Sequence, residues 1–189
     1  MTRRAVEVNP DTLPDAVVRA CRGVARPVIL MDGGSGAGKT SLAQSIVERW
    51  PSIDHGAAAQ QGLLLVSLDD TYPGWTGLRA GSEAVPGIVT TDHPGYWRWD
   101  WVHDRRASRV DLDPSRPLLV EGCGALTRES ALLATVRIWV EAPPDQRKHR
   151  ALARDAGGFD PYWDLWAEQE AEHWARNRPW LLADLICRT

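Results

Sequence analysis

A glycine-rich run directly after a short apolar segment constrains the fold of this chain more than any other feature. The apolar segment Pro27-Val-Ile-Leu-Met31 and Asp32 precede Gly33-Gly-Ser-Gly-Ala-Gly38-Lys39-Thr40, which matches G-x-x-x-x-G-K-[ST] at every position. From Lys39 onward, apolar residues share one helical face until Pro51 ends the pattern. We predict a buried strand, a phosphate-binding loop (P-loop) and a helix, in that order.

The residue types in this loop suit nucleotide binding. Glycines let successive backbone N–H groups converge on phosphate oxygens, and the following helix directs its positive end at the same point. Lys39 would reach the β- and γ-phosphates, and the Thr40 hydroxyl would ligate Mg²⁺. We expect Lys39 to lie in a solvated loop, so that its replacement would leave the fold intact. We therefore predict that ATP and Mg²⁺ bind at Gly33, Gly34, Ser35, Gly36, Ala37, Gly38, Lys39, Thr40 and Ser41.

Further short apolar runs predict the rest of the sheet. They span residues 63–68, 118–120, 136–140 and 183–187, and helical stretches separate them. Strands of this kind form parallel sheets with helices on both faces, and such sheets bind ligands at the carboxyl ends of their strands. We predict an α/β P-loop NTPase fold with a five-stranded parallel sheet. The length of 189 residues suits a single domain over residues 1–189, with an irregular insertion at about residues 72–117.

Charge and composition narrow the class of partner. A net charge of −3 argues against a protein that binds nucleic acid through phosphate contacts, and the partner that we expect for a phosphoryl-transfer site is a small-molecule acceptor. No apolar run approaches the ~20 residues that span a bilayer, and no secretory signal is evident. The three cysteines lie far apart, which favours reduced thiols in a cytoplasmic protein. The sequence leaves open whether the chain forms a homo-oligomer.

Phosphoryl transfer to an alcohol needs a base and additional cations, and the sequence offers candidates for both. Asp69 follows the second apolar run, where it would reach an acceptor hydroxyl and a Mg²⁺-bound water; the alternative is an Asp that caps a turn. Arg147, Arg150 and Arg154 fall on one helical face, able to close over a polyphosphate; the alternative is a solvated charged face.

Several short motifs together resemble the uridine kinase family of P-loop kinases. After GGSGAGKT come Asp69-Asp-Thr-Tyr72, Asp92-His-Pro94, Glu121-Gly122 and the arginine run that begins at Asp145, in the order and rough spacing of that family. The resemblance covers about residues 27–155. It implies an ATP-dependent kinase with a lid at about residues 145–160.

The resemblance also implies roles for individual residues. Asp69 matches the family's catalytic base, and Glu121 matches the acid that helps to organise Mg²⁺. Tyr72 matches a tyrosine that lines the acceptor site, and Asp92 matches the aspartate that holds the ribose hydroxyls. The lid arginines that clamp the phosphates match Arg150 and Arg154. The predicted catalytic set is therefore Asp69, Lys39, Arg150 and Arg154, and the predicted metal set is Thr40, Asp69 and Glu121.

One segment departs from the family pattern. Gly95-Tyr-Trp-Arg-Trp-Asp-Trp101 replaces the pyrimidine-reading segment, so the acceptor is not defined by the resemblance. Trp97, Trp99 and Trp101 would share one face of a strand, where they would stack on a planar substrate or form a small core. Tyr96 and Trp75 are the expected substrate contacts in this region.

Three functions remain open on the sequence alone. The first is an ATP-dependent kinase that phosphorylates a hydroxyl of a small, nucleoside-like molecule. The second is a nucleoside monophosphate kinase that holds an acceptor phosphate through Arg79, Arg98, Arg105 or Arg106, although no monophosphate-binding signature is evident. The third is a nucleotide-dependent regulator or NTPase without an acceptor, for which an Asp at position 69 has less purpose.

Overall fold

Eight strands, six of them in one parallel sheet, and six helices make up most of the described chain. The structure is a computed structural model and describes residues 4–50, 62–90, 92–154 and 157–189. The strands are β1 (Val6–Val8), β2 (Val28–Gly33), β3 (Leu64–Ser67), β4 (Gly95–Asp100), β5 (Arg105–Asp111), β6 (Leu118–Glu121), β7 (Val136–Glu141) and β8 (Leu185–Arg188). The helices are α1 (Leu13–Ala20), α2 (Lys39–Arg49), α3 (Leu78–Thr90), α4 (Pro144–Arg154), α5 (Trp163–Asn177) and α6 (Pro179–Leu182).

The main sheet is parallel, with the strand order β1-β8-β7-β2-β6-β3. Its central strand β2 is buried along its whole length because alternate side chains enter two hydrophobic layers. Ile29 and Met31 pack in the layer that contains α1 and α2, whereas Val28 and Leu30 pack in the layer that contains α3 and α5. This arrangement confirms the predicted α/β architecture with helices on both faces.

The sheet has six strands rather than the predicted five. The additional strand is β1, whose three residues pair with β8 at the sheet edge. Its sequence, Val-Glu-Val, is short and mostly exposed, so it lacks the continuous apolar run that marks a strand buried on both faces. Strand β3 ends at Ser67, and the next three residues, Leu68–Asp70, form a 3₁₀ turn that carries Asp69.

The segment 72–117 is ordered by two elements that the sequence pattern did not predict. Helix α3 forms despite an internal Pro86, because Val85, Ile88 and Val89 are buried against the sheet. After it, β4 and β5 form an antiparallel hairpin outside the main sheet. The expectation of an irregular insertion is therefore wrong for most of this segment.

The hairpin also changes the expected arrangement of its tryptophans. Strand β4 ends at Asp100, so Trp101 lies in the connection, and a β-bulge shifts the register between Trp97 and Trp99. The three indoles therefore do not form one continuous face.

In the described ranges, no helix is long and apolar enough to cross a membrane.

Candidate functional site

The glycine-rich loop joins the carboxyl end of β2 to the start of α2, as predicted. Gly36 and Gly38 have φ values of +75° and +89°, which side chains with a Cβ rarely adopt. A Cβ at Gly36 would also overlap the carbonyl oxygen of Arg147. Gly38 caps α2, whose first N–H groups have no acceptor within the helix and therefore face the concave side of the loop. This geometry suits a polyphosphate.

Lys39 lies beneath the loop and is buried, with 8% of its surface exposed. Its Nζ donates to the carbonyl oxygen of Gly34 at 3.1 Å and lies 3.4 Å from Cys123 Sγ. Burial alone would lower the pKa of Lys39, but nearby groups, with Cys123 first and then Glu121, raise it above its ordinary value. Since burial raises the pKa of the Cys123 thiol to about 12 and keeps it neutral, the surrounding carboxylates are what hold Lys39 charged. The expectation that Lys39 is solvated is wrong.

An acid and two hydroxyls stand beside the lysine. Glu121, at the end of β6, is 2% exposed and accepts hydrogen bonds from Ser67 Oγ at 2.8 Å and Thr40 Oγ1 at 3.3 Å. Burial raises the pKa of Glu121, and Lys39 opposes that rise. These hard oxygen donors at the mouth of the loop fit Mg²⁺, which prefers a few carboxylate or hydroxyl ligands together with phosphate and water. Thr40 and Glu121 are thus brought together as predicted.

Asp69 lies between two cavities. One has a volume of about 230 Å³, and we call it the phosphate cavity; the loop, α2, Glu121, Arg150 and Arg154 line it. The second has a volume of about 350 Å³, and we call it the aromatic cavity. Three residues line both of them: Ser35, Asp69 and Arg154. The exposed carboxylate of Asp69 therefore stands where the contents of the two cavities would meet.

Ring side chains form most of the wall of the aromatic cavity. They come from the segment after β3, from the connection between β4 and β5, from the turn before α5 and from α5 itself: Tyr72, Trp75, Trp101, Phe159 and Trp166. Trp101 also donates its indole N–H to the carbonyl oxygen of Asp69 at 2.9 Å. The cavity offers faces and edges on which a planar ring can stack.

Tyr72 and Trp75 lie in this cavity, but their surroundings limit what they can contact. The Tyr72 hydroxyl donates to the carbonyl oxygen of Cys123 at 2.8 Å, and burial keeps the pKa of Tyr72 well above its ordinary value. Its hydroxyl is therefore not available to a ligand, and the Tyr72 side chain, in a residue only 1% exposed, forms part of the cavity wall. Trp75 already stacks on Tyr162 at a centroid distance of 4.5 Å.

Two of the predicted arginines, both exposed, face the phosphate cavity from α4. Arg150 donates to Thr189 Oγ1 at 3.1 Å, and Thr189 in turn donates to the carbonyl oxygen of Ala37 in the loop at 3.0 Å. Arg154, at the end of α4, lines both cavities. Asp155, the next residue and the last of the arginine motif that begins at Asp145, lies outside the described residues.

Arg147 takes a different position. Its Nη1 donates to Glu170 Oε2 at 3.1 Å and to the carbonyl oxygen of Ser35 at 3.2 Å, and its guanidinium lies over the Trp174 ring. Glu170, from α5, is 2% exposed and also accepts the backbone N–H of Ser35 at 2.6 Å. Arg147 therefore binds the loop to α5 and does not line the phosphate cavity with the other two arginines.

A second buried acid supports the loop from below. Asp32 accepts backbone N–H groups from Gly33, Gly124 and Leu126 at 2.7–3.0 Å, and lies 3.1 Å from His173 Nε2 on α5. No sequence motif predicts a role in the site for Asp32, Cys123, Glu170 or His173. Asp32 and Cys123 adjoin recognised motifs and could have been suspected, but no pattern in α5 marks Glu170 or His173 as neighbours of the loop.

Two predicted substrate residues do not line the cavities beside Asp69. Asp92 is exposed and lies just before the hairpin. Tyr96, on β4, lines a separate cavity between the hairpin and α3.

The described ranges also hold no cluster of three or more His, Cys, Asp or Glu side chains that could bind a metal without phosphate or water.

Two solved structures resemble this chain over nearly its whole length. A protein from Bacillus stearothermophilus, described as a possible uridine kinase, has a TM-score of 0.64 and 16% sequence identity, with 94% of this chain and 96% of the other covered. A protein from Silicibacter sp. TM1040, provisionally described as a fructose transport system kinase, has a TM-score of 0.61 and 15% identity, with 95% and 98% covered.

No protein-family model and no curated protein matches the sequence. At identities of 15–16%, the two structural likenesses establish the fold. They confirm the α/β P-loop NTPase fold that the sequence predicts.

Proposed function

We propose that this chain is an ATP- and Mg²⁺-dependent phosphotransferase that phosphorylates a hydroxyl group of a small, ring-bearing, nucleoside-like molecule. The observation that carries the proposal is the position of Asp69, which lines both the phosphate cavity and the aromatic cavity. A γ-phosphoryl group bound on one side and an acceptor hydroxyl bound on the other would meet beside this carboxylate.

The phosphate cavity has the charges that phosphoryl transfer requires. Lys39 and the N–H groups at the start of α2 would hold the β- and γ-phosphates, while Thr40 and Glu121 would hold Mg²⁺. When bound, the metal supplies positive charge that stabilises the transferred group. Arg150 and Arg154 add positive charge from α4, which would stabilise the negative charge that develops on the equatorial oxygens.

Asp69 is the proposed general base. Its side chain is exposed to the cavities, whereas Glu121 is buried and occupied by two hydroxyl donors. An acceptor alcohol in the aromatic cavity would donate its proton to Asp69 as its oxygen attacks the γ-phosphorus, and the bond from that phosphorus to the β,γ-bridging oxygen would break to release ADP. Trp101 fixes the main chain at this point by donating to the carbonyl oxygen of Asp69.

The walls of the aromatic cavity favour a planar ring in the acceptor. Tyr72, Trp75 and Phe159 present ring carbons rather than a set of polar groups that would bind a sugar alone. A nucleoside combines a ring that can stack with a hydroxyl that can reach Asp69. The description of the Bacillus structure as a possible uridine kinase agrees with this class of acceptor.

The test is a screen for acceptor-dependent release of ADP over nucleosides, ring-bearing vitamins and sugars, followed by two matched variants. Asp69→Asn keeps the shape of the side chain and removes the charge that accepts the proton. We expect turnover with the best acceptor to fall by about 10²–10⁴-fold, while the affinity for ATP changes little.

Asp70→Asn is the control, because Asp70 forms an ion pair with Arg98 at 3.1 Å and lines neither cavity. It should retain turnover within a few-fold of the parent chain. Greater damage from Asp70→Asn would place the base at Asp70. ATP hydrolysis that no acceptor stimulates would instead favour an NTPase or a regulator.

A further inference from the structure

The hairpin and α3 enclose a third cavity, which we call the hairpin cavity. Its volume is about 480 Å³, and it shares no lining residue with the phosphate or aromatic cavities. One wall is the apolar side of α3, formed by Ala80, Ala84 and Ile88. Gly87 also lies on this wall, and a Cβ added there would meet nothing within 4 Å.

The opposite wall combines indole rings with positive charge. Trp97 is paired with Arg109 and Trp99 with Arg106 across the two strands, and all four side chains line the cavity. The β-bulge between these pairs sets the register that places Arg106 opposite Trp99. Tyr96 contributes a third aromatic ring.

The positive charge of the arginines on this wall is not neutralised by the described residues that line the hairpin cavity. No acidic side chain is found among the described residues that line it. Arg98 pairs with Asp70 and Arg109 with Asp111, both outside the lining. Arg106 forms no ion pair within the described ranges, and its guanidinium lies 5.3 Å from the centroid of the Trp97 ring.

A hydrogen-bond donor is also left over. The indole Nε1 of Trp99 is buried and finds no acceptor in the part of the chain that the structure describes. Buried donors in folded proteins nearly always have a partner, so this one is an exception beside the cavity; because the nitrogen itself is not accessible, the anionic group is assigned to Arg106 instead.

From this juxtaposition we propose that the hairpin cavity binds a planar organic anion, namely an aromatic ring that carries a phosphate or carboxylate group. The ring lies between the indoles and the apolar side of α3, and the anionic group lies at Arg106. This site is additional to the phosphotransferase site and does not depend on ATP.

The experiment is a calorimetric titration of the full chain, without nucleotide, using probes that share one ring. 1-Naphthyl phosphate and 1-naphthoate carry the two anionic groups, and 1-naphthalenemethanol carries none. We expect at least one anion to bind and the neutral alcohol to bind about tenfold more weakly, because charge-assisted hydrogen bonds to the guanidinium are lost. The two anions distinguish a phosphate site from a carboxylate site.

Two adjacent arginines on β5 provide a matched pair of variants. Arg106→Gln removes the proposed anion partner and should weaken the better probe by about tenfold. Arg105→Gln removes the same charge from the neighbouring residue, which pairs with Asp100 and lies outside the cavity lining, and should change binding less than twofold. Gly87→Leu fills the cavity and should abolish binding while the protein stays folded, since glycine disfavours a helix interior.

Several results would overturn the proposal. They are the absence of binding by both anions, equal binding of the neutral alcohol, and equal losses in Arg105→Gln and Arg106→Gln. Tight binding of a single-stranded oligonucleotide with equal losses in those two variants would identify an exposed basic surface instead. Lys39→Ala should bind the probe normally, which separates this result from any failure of the proposed phosphotransferase.

Discussion

At the scale of single residues, the site depends on buried charges that each have a partner. Glu170 is held by the Ser35 N–H and by Arg147, and Asp32 is held by three N–H groups and His173. Removing one partner from such a pair leaves a buried charge unpaired, which typically costs about 3–5 kcal/mol. These two acids from β2 and α5 therefore fix the conformation of the loop before any nucleotide binds.

Glu121 gives a pH-dependent prediction at the same scale. Its pKa is raised by burial, so the carboxyl group takes up a proton at a higher pH than an ordinary glutamate, whose pKa is ~4.3. A protonated Glu121 cannot assist Mg²⁺, so kcat/KM for ATP·Mg²⁺ should fall as the pH decreases through this raised pKa.

The pH profile of Glu121→Gln provides the comparison. This variant should have a lower kcat/KM at neutral pH, and the part of the acid limb that belongs to Glu121 should be missing. An acid limb of the same midpoint in both proteins would assign that titration to another group.

At the scale of elements, the strands buried on both faces could be predicted and the amphipathic peripheral elements could not. The run 118–120 became β6 and the run 136–140 became β7, because an apolar run in a parallel sheet is a strong signal. Helix α3 escaped prediction because Gly81, Pro86 and Gly87 lower its intrinsic helix propensity, which tertiary packing overrides.

The residues of the site also fall into those that the sequence predicted and those that it did not. The loop, Asp69, Glu121, Arg150 and Arg154 come from local motifs and do meet around one cavity. Trp166 belongs to no local motif, yet this buried residue forms part of the aromatic cavity. Its position depends on how α5 packs against the segment after β3, which is a long-range contact that sequence spacing does not encode.

Helix α4 gives a prediction about motion. Arg150 and Arg154 are exposed and reach the phosphate cavity, so a bound polyphosphate should hold the end of this helix in place. We expect tryptic cleavage after Arg150 and Arg154 to slow several-fold when a non-hydrolysable ATP analogue and Mg²⁺ are added, as measured by mass spectrometry of the fragments.

Cleavage after Arg22 serves as the internal control. Arg22 is exposed beyond α1 and lines neither cavity of the site, so its cleavage rate should not change. Equal rates at Arg150 and Arg154 with and without the analogue would contradict a role for α4 as a lid.

At the scale of the whole molecule, strand order determines where the ligands meet. Strand β2 lies between β6 and β7, with β3 beyond β6 and β8 beyond β7, so the chain connections diverge on either side of its carboxyl end. Parallel sheets bind ligands at such a point because the diverging connections leave a crevice there. The loop after β2 and Glu121 after β6 both lie at this position, and helices on opposite faces supply the remaining residues.

Because the glycine-rich loop contacts residues from both hydrophobic layers, we predict that nucleotide binding raises the free energy of unfolding of the whole chain. A ligand at 100 times its Kd adds about 2.7 kcal/mol to the free energy of unfolding. For a domain of this length that corresponds to a rise in Tm of about 5–10 °C. The measurement is thermal unfolding with a non-hydrolysable ATP analogue and Mg²⁺.

Lys39→Ala tests whether that rise comes from the P-loop. Lys39 is buried among Glu121, Glu170 and Asp69, so its removal leaves carboxylates without their cation and should lower the Tm of the free protein as well. The informative quantity is therefore the ligand-induced shift in each protein, and not the Tm itself. We expect the shift in Lys39→Ala to fall below half of its value in the parent chain, while Arg22→Ala, a change on an exposed loop, keeps the full shift. Equal shifts in all three proteins would mean that the nucleotide binds elsewhere, because a ligand held by Lys39 cannot stabilise the chain equally without it.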